Sequence, residues 1–457
     1  MQVISDLQLH SKYARAVSPQ MVIPEIWKWA KRKGIGLIAT GDWTHPLWLR
    51  EIKAETQETG TGLLQLKNRD AFSEGDGPLF LLEAEVSSIY SQGGKLRRIH
   101  NLIWSPSIAS CEKINKELTS RGCNLLSDGR PIIGLTSIQV AELVFSIDPH
   151  CLIIPAHIWT PHFSLFGSES GFDSIDECFG QLGKYIFAVE TGLSSDPAMN
   201  WRIKELDSRS IVSFSDAHSG PKLAREATVF ELESLSFENI RKAIILPSTQ
   251  KTSTSSDPAN NHIAYTIEFY PEEGKYHYTG HRNCGIKQSP KETKSKGTIC
   301  PVCGKKLTVG VMHRVDQLAG RSEQELGIRK KELEGIVLMG IYSDKLPQRP
   351  PYIMMVPLPE ILSESLGGLP TGKTVVNEYM RMTDHFGSEL SILLQSDVAT
   401  ITKFSGEKVA QAIDRVRKGD ISVDPGYDGV FGKVKIWSNE DKNEKQQKDQ
   451  KEQMSLF

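Results

Sequence analysis

Six apolar runs in the first 220 residues each deliver side chains that bind metal ions, and no other feature restricts the fold so tightly. MQVISDL leads to Gln8 and His10, GIGLIATG to Asp42 and His45, and PLFLLEA to Glu85. RRIHNLIW carries His100, CLIIPA precedes His157, and SIVSFS precedes Asp216 and His218. A seventh run, YIFAVETG, adds Glu190. Buried strands rarely end in charged or imidazole groups without a reason, because taking such groups out of water is costly. Recurrence at strand ends places the donors on one rim of a parallel barrel, where loop-borne sites assemble.

Strand candidates are Val3–Leu7, Gly36–Thr40, Leu79–Val86, Ile99–Trp104, Leu152–Ala156, Ile186–Glu190, Ile211–Ser215 and Thr228–Leu232. Amphipathic segments lie between them. In Val22–Lys33, for example, Ile23, Ile26, Trp27 and Ala30 form one helical face. Repeated strand–helix units predict an α/β fold with a parallel sheet, open or closed into a barrel, over residues 1–247. The Ser/Thr/Pro-rich stretch PSTQKTSTSSDPANN predicts a linker over 248–262. A small cysteine-bearing module is expected over 263–316, a mainly helical C-terminal domain over 317–437, and a disordered charged tail over 438–457. KVAQAIDRVRKGD is a clear amphipathic helix within the helical part.

Composition narrows the class. A chain of 457 residues holds two or three domains and buries a full core. No apolar run approaches the ~18 residues of a membrane span. MQVISDLQLH lacks the basic and long apolar regions of a secretion signal. Cys111, Cys123, Cys151 and Cys178 are scattered and read as buried thiols in a reducing compartment, so the expected location is cytoplasmic, associated with the nucleoid. A net charge of −2 argues against a globally basic DNA coat while leaving room for local patches.

Carboxylates and imidazoles suit borderline and hard divalent cations, and clustered ions of this kind hydrolyse phosphate esters. Such a cluster needs a carboxylate able to bridge two ions, and Glu85, on a buried run, is the candidate. The motifs DLQLHSKYAR, TGDWTHP, EAEVSSIY, IHNLI, PAHIWTPHFSLFGSESGFDSI, ETGLSSDPAMNWR and FSDAHS resemble the motif series of the PHP (polymerase and histidinol phosphatase) superfamily. The longer ones resemble one branch of it, the endonuclease Q family, from Met1 to about Trp437. That resemblance implies a distorted (β/α)7 PHP barrel followed by a zinc-binding module and a helical domain. It also implies an endonuclease that cuts damaged double- or single-stranded DNA on the 5′ side of hypoxanthine, uracil, xanthine and abasic sites. Carried over residue by residue, the metal ligands are His10, Asp42, Glu85, His100, His157, Glu190, Asp216 and His218, holding two or three Zn2+, Mn2+ or Mg2+ ions. Asp216, His218, Glu85 and His157 are the expected catalytic positions. The family's first motif reads D-x-H-x-H, whereas Gln8 stands at its first histidine here, a weaker and neutral donor. His45 either compensates as a ligand or lines the pocket, and the pocket reading is preferred because Asp42 already fills that motif's ligand role.

Beyond the linker, His281-x2-Cys284 and Cys300-x2-Cys303 pair as zinc knuckles, with fifteen residues between Cys284 and Cys300. One imidazole and three thiolates leave no open position, so one structural Zn2+ is expected; His277 is the alternative fourth ligand. Tyr276, Arg282 and Lys305 around this module, with Lys12 and Arg225 in the first part, are the expected DNA contacts. Ser11, Tyr13 and Phe166 are the candidates for a base pocket. GGLPTGKT, residues 367–374, fits the phosphate-binding P-loop pattern. A true P-loop joins a buried strand to a helix, whereas PEILSESLG before it reads as a helix, so no nucleotide cofactor is expected. The last five residues resemble the bacterial sliding-clamp-binding peptide, with Gln453 giving polar register and Met454, Leu456 and Phe457 as apolar anchors. A small phosphate monoester is the competing substrate that the metal site alone would permit, and an ATP-driven helicase or DNA-binding adaptor is a third reading that needs the P-loop. The zinc module and the clamp peptide favour DNA.

Overall fold

The computed structural model of the protein describes residues 1–67, 77–245 and 261–437. β1 (Gln2–Asp6) leads to α1 (Ile23–Lys33), β2 (Leu37–Ala39), α2 (Pro46–Glu55) and the short strands β3 (Thr56–Glu58) and β4 (Leu64–Leu66). α1 has Pro24 in its first turn, buries Ile23, Ile26, Trp27 and Ala30, and stops at a left-handed Gly34. Two long strands follow, β5 (Leu79–Gln92) and β6 (Lys95–Ser105), then α3 (Ile108–Ser120), β7 (Ile132–Ile133), α4 (Ser137–Ile147) and β8 (Leu152–Pro155). α5 (Ile175–Phe179), β9 (Ala188–Glu190), α6 (Pro197–Trp201), β10 (Ser210–Val212), β11 (Ala227–Glu231) and α7 (Phe237–Ile245) complete this part.

The predicted strands are present, but the sheet is mixed rather than parallel. β1 pairs parallel with β2, and β2 with β5, while β11 runs antiparallel to β1 and β6 antiparallel to both β5 and β8. Gly93 and Gly94, at φ 60° and 72°, form the two-residue turn that folds β5 back on β6 as a hairpin. A hydrogen bond from Ile158 N to Glu190 O (3.1 Å) leads from β8 to β9, β9 pairs with β10, and Ser213 N to Thr228 Oγ1 (2.9 Å) leads on to β11. The strands thus form a circuit around a common interior.

Alternation along each strand sorts that interior by depth. Leu81, Glu83 and Glu85 share one face of β5, Leu102 and His100 one face of β6, and Ala188 and Glu190 one face of β9. Leu81, Leu102, Ala188, Ile154, Val212 and Phe214 meet in one apolar cluster with Phe237 and Ile240 of α7. One end of the interior is therefore plugged with hydrocarbon, and the donors emerge at the other.

After residue 260, β12 (His262–Glu268) joins β11 antiparallel. β13 (Thr279–His281), β14 (Ile286–Gln288), α8 (Pro290–Lys296) and α9 (Val311–Leu318) surround the late cysteines. β15 (Ile328–Glu332), β16 (Met339–Ser343) and β17 (Tyr352–Met354) then extend the large sheet through β12. The first part of the region read as mainly helical, 317–437, is strand here, and β15 shows a physical reason. IRKKE is exposed at every position, an edge strand written in charge, so it has no apolar alternation to read. Helices α10 (Leu358–Leu366), α11 (Lys373–Phe386), α12 (Glu389–Leu394), α13 (Val398–Ser405) and α14 (Glu407–Lys418) follow, and β18 (Ser422–Asp424) pairs with β19 (Lys433–Lys435). The P-loop-like segment connects α10 to α11, helix to helix, without the strand that such a loop needs. Among the described residues no helix is long and apolar enough to cross a membrane. The predicted linker falls almost wholly, and the clamp-like peptide Gln453–Phe457 entirely, outside the described residues.

Candidate metal centre

Most donor side chains lie at or just beyond strand ends, but Glu85 and His100 stand within the long strands β5 and β6, contrary to the strand-end expectation. Three donors adopt left-handed backbone: Asp42 at φ 48°, His157 at 32° and Asp216 at 46°. Non-glycine residues avoid this region, and such strain collects at functional sites. An isolated parallel bridge between Leu9 and Ala217, with His10 N bonded to Ala217 O at 3.0 Å, brings the first and last motifs side by side.

Among the described residues the donors close in three groups, each with its ligand atoms within 4.8 Å of one another. Two lie in this centre: His10, Asp216 and His218 in one, Glu85, His100 and His157 in the other. Glu85 joins them. Its Oε2 is 3.1 Å from His10 Nε2, while its Oε1 contacts His100 Nδ1 and lies 3.4 Å from His157 Nε2. Asp42 and Glu190 stand outside both groups. Asp42 Oδ1 meets His10 Nδ1 at 2.9 Å, and its Oδ2 accepts from Ser11 N and Ser11 Oγ at 2.6 and 2.7 Å. Asp42 thus orients the His10 ring with Nε2 facing the centre, as carboxylate partners of metal-binding histidines do. Gly129 permits this, since a Cβ there would meet Asp42 Oδ2 at 2.4 Å. Glu190 Oε2 accepts from His157 N at 2.7 Å.

The electrostatics separate the carboxylates. Burial works against ionised Glu85, but His100 and Arg130 hold its pKa well below the usual range. Burial pushes Glu190 well above it, as it does Glu83, whose two oxygens are buried without a hydrogen-bond partner. The donor set also fits a cation. Gln8 donates through Nε2 to Glu85 Oε2 at 3.2 Å, which leaves Gln8 Oε1 buried with no donor, and Glu190 Oε1 is in the same state. Oxygens with spare lone pairs and no proton to accept suit a positive ion.

Other expected residues are placed differently. His45 stacks on Tyr13 with ring centroids 4.3 Å apart, and the Tyr13 hydroxyl donates to Glu51 at 2.7 Å. Lys12 also pairs with Glu51, at 2.9 Å. Arg225 donates to the carbonyls of Ser215 and Asp216 at 2.8 and 3.3 Å, bracing the strand end that carries Asp216. Of the residues expected in a base pocket, Phe166 is fully buried against Trp159, and the Ser11 hydroxyl donates to Asp42. Arg130 was not anticipated. Its NH1 lies 3.4 Å from Glu85 Oε2 and 3.3 Å from His10 Nε2, and the only signal was the turn SDGRP in a stretch without periodicity.

The third group is His281, Cys284, Cys300 and Cys303, carried by the β13–β14 hairpin and the turn before α9. Burial raises the Cys300 thiol, but the amide of Cys303, the His281 ring and the amide of Val302 outweigh it and bring the pKa to about 6. A thiolate at neutral pH is what a zinc ligand must be. His277, the alternative ligand, is buried outside this group beside Tyr278. Arg282 and Lys305 are exposed nearby and Tyr276 is half-buried.

Residues 357–420 match the family described as MJ0043 C-terminal domain. The curated relatives are an uncharacterised Methanocaldococcus jannaschii protein, 30% identical over 60% of this chain, and Bacillus subtilis YqxK, 27% identical over 74% of each. The matched part spans 31% of the length of the M. jannaschii protein. Two solved structures match along nearly the whole chain. The lesion-specific endonuclease PfuEndoQ from Pyrococcus furiosus is 30% identical, covers 97% of this chain and 99% of its own, and has a TM-score of 0.76. Endonuclease Q bound to a 27-mer duplex with an abasic lesion at the active site is 31% identical, covers 96% and 97%, and has a TM-score of 0.77.

Proposed function

The chain belongs to the endonuclease Q family, and from that premise we propose that it is a metal-dependent repair endonuclease that cuts DNA on the 5′ side of abasic sites and deaminated bases. The observation that carries the reading is the convergence of two donor groups on Glu85, in a chain matched end to end by an enzyme solved with an abasic duplex at its active site. On this reading the strand circuit is a distorted PHP barrel over 1–247, with a zinc module, a helical domain and a clamp-binding tail after it.

His10, Asp216 and His218 would hold one divalent cation and Glu85, His100 and His157 a second, with Glu85 between them and Gln8 or Glu190 as further donors. Bound there, the ions would supply Lewis-acid stabilisation and an activated water for in-line hydrolysis of a phosphodiester. Asp42 keeps the His10 ring turned inward, Arg225 fixes the carbonyl frame beneath Asp216, and Glu190 pins the backbone that presents His157. The buried apolar plug closes the far end, so the reacting phosphate enters from the donor rim. The damaged nucleotide leaves its stack to be read, which costs least at abasic or mispaired positions. Tyr13 and His45, stacked at the edge of the centre, are the aromatic surface closest in chemistry to a base platform. The cysteine cluster would hold a structural Zn2+ and present Arg282 and Lys305 to the backbone of the duplex.

The test is incubation of the full chain with Mn2+ or Mg2+ and a duplex carrying one abasic site or one deoxyinosine. A single nick 5′ to the lesion is expected. No nick, together with fast hydrolysis of a small phosphate monoester, would place the protein among the small-molecule phosphoesterases instead.

A further inference from the structure

Arg130 is the one cationic side chain that reaches the core of the centre, among the described residues, without belonging to any donor motif. Its backbone is fixed. Arg130 N donates to Asp128 Oδ1 at 3.1 Å, Gly129 N to Tyr13 O at 3.0 Å, and Gly129 O accepts from Thr44 Oγ1 at 3.3 Å. The side chain is 26% exposed and rises from this rigid turn toward the rim. Its NH1 contacts Glu85 Oε2 and His10 Nε2, the atoms that would each donate to a cation. An imidazole nitrogen has one lone pair, so the guanidinium and an ion compete for His10 Nε2. The competition has a direction, because a guanidinium released there keeps its charge and its planar fork, a shape that matches phosphate oxygens.

Resting on the nuclease reading above, we propose that Arg130 is a catalytic residue of the cleavage step. Once the donors are engaged by cations, its guanidinium leaves Glu85 and His10 and grips a non-bridging oxygen of the scissile phosphate. It meets the charge that develops there as a water oxygen bonds to phosphorus and one bridging P–O bond breaks. The departing oxygen leaves as a hydroxyl with a proton that comes from water, while the guanidinium itself stays protonated throughout. An arginine that only braced Glu85 would behave differently, since its removal would loosen the ligands and weaken metal binding.

Three measurements on the full chain separate these roles: Mn2+ titration calorimetry without DNA, single-turnover nicking of an abasic duplex, and the same nicking with guanidinium chloride added. Arg130→Ala should bind Mn2+ at least as tightly as the parent and nick about 100-fold more slowly, the loss typical of one transition-state donor. Added guanidinium should restore part of that rate, and Arg130→Lys should fall between, having charge without the fork. The role is overturned if Arg130→Ala nicks at the parental rate. It is equally overturned if Mn2+ affinity falls in step with rate and guanidinium rescues nothing. A parent that leaves the duplex intact removes the nuclease reading and this role with it, which is distinct from a parent and variant that nick equally fast.

Discussion

At single positions, the centre is built from residues held in conformations they would not choose. Asp42, His157 and Asp216 have positive φ, and each turns its strand end so that the side chain faces the common interior. Asp216→Ala should therefore lower nicking by more than the ~100-fold seen for losses behind the ligands, with circular dichroism and melting temperature unchanged. Retained activity would refute its assignment. Among the described residues the Asp42 carboxylate hydrogen-bonds to His10 and Ser11, so Asp42→Asn should cost about 10- to 100-fold in Mn2+ affinity, the range for a partner that orients a ligand. Gln8 points its amide nitrogen at Glu85 and leaves its oxygen unpartnered, an arrangement that a neutral imidazole would replace with a better donor. Gln8→His should tighten Mn2+ binding in a calorimetric titration; unchanged binding would place the Gln8 oxygen outside the metal shell.

Among the secondary-structure elements, what could be read from the sequence was what repeats. Leu81, Glu83 and Glu85 alternate along β5, and that period alone foretells a face that is apolar below and acidic above. The β5–β6 hairpin has its sequence mark in Gly93-Gly94, whose two left-handed φ values close the strands on each other. Arg130 was legible only as a member of the turn SDGRP, because its place depends on how that turn packs against Asp42 rather than on any periodicity. That turn gives a prediction of its own. In Gly129→Ala the new Cβ meets Asp42 Oδ2, so the turn or the Asp42–His10 pair must shift, and Mn2+ affinity should drop while the fold persists. The helical part docks on α1 through a buried cluster in which Lys33 Nζ and the Tyr379 hydroxyl both meet Glu389 Oε2, at 2.5 and 2.8 Å. Glu389→Ala strands Lys33 without a partner and should destabilise the chain by about 3–5 kcal/mol in urea unfolding.

Across the whole molecule, one sheet ties the two halves of the chain together, since β12 pairs with β11 and carries β15–β17 behind it. Where β12 meets the circuit, Glu268 accepts hydrogen bonds from Ser213 (2.5 Å) and Thr266, and Ser213 reaches Thr191, next to Glu190. Burial raises the Glu268 pKa from 4.5 to about 8. The folded chain thus keeps a proton there that the unfolded chain releases near pH 4.5, so this group's contribution to stability is greatest below that pH and is lost as pH rises toward 8. Glu268→Gln should flatten the fall in unfolding free energy between about pH 5 and 8 and be the more stable chain at pH 8; an unchanged slope would remove Glu268 from the account. The central claim is that the two donor groups form one metal centre on which the phosphate 5′ to a lesion is cut. Anomalous scattering from crystals of the full chain with Mn2+ and an uncleavable abasic duplex tests it most directly. The account predicts two manganese peaks about 3.5–4 Å apart astride Glu85, with that phosphate between them. Manganese bound elsewhere, or a phosphate remote from Glu85, would contradict it.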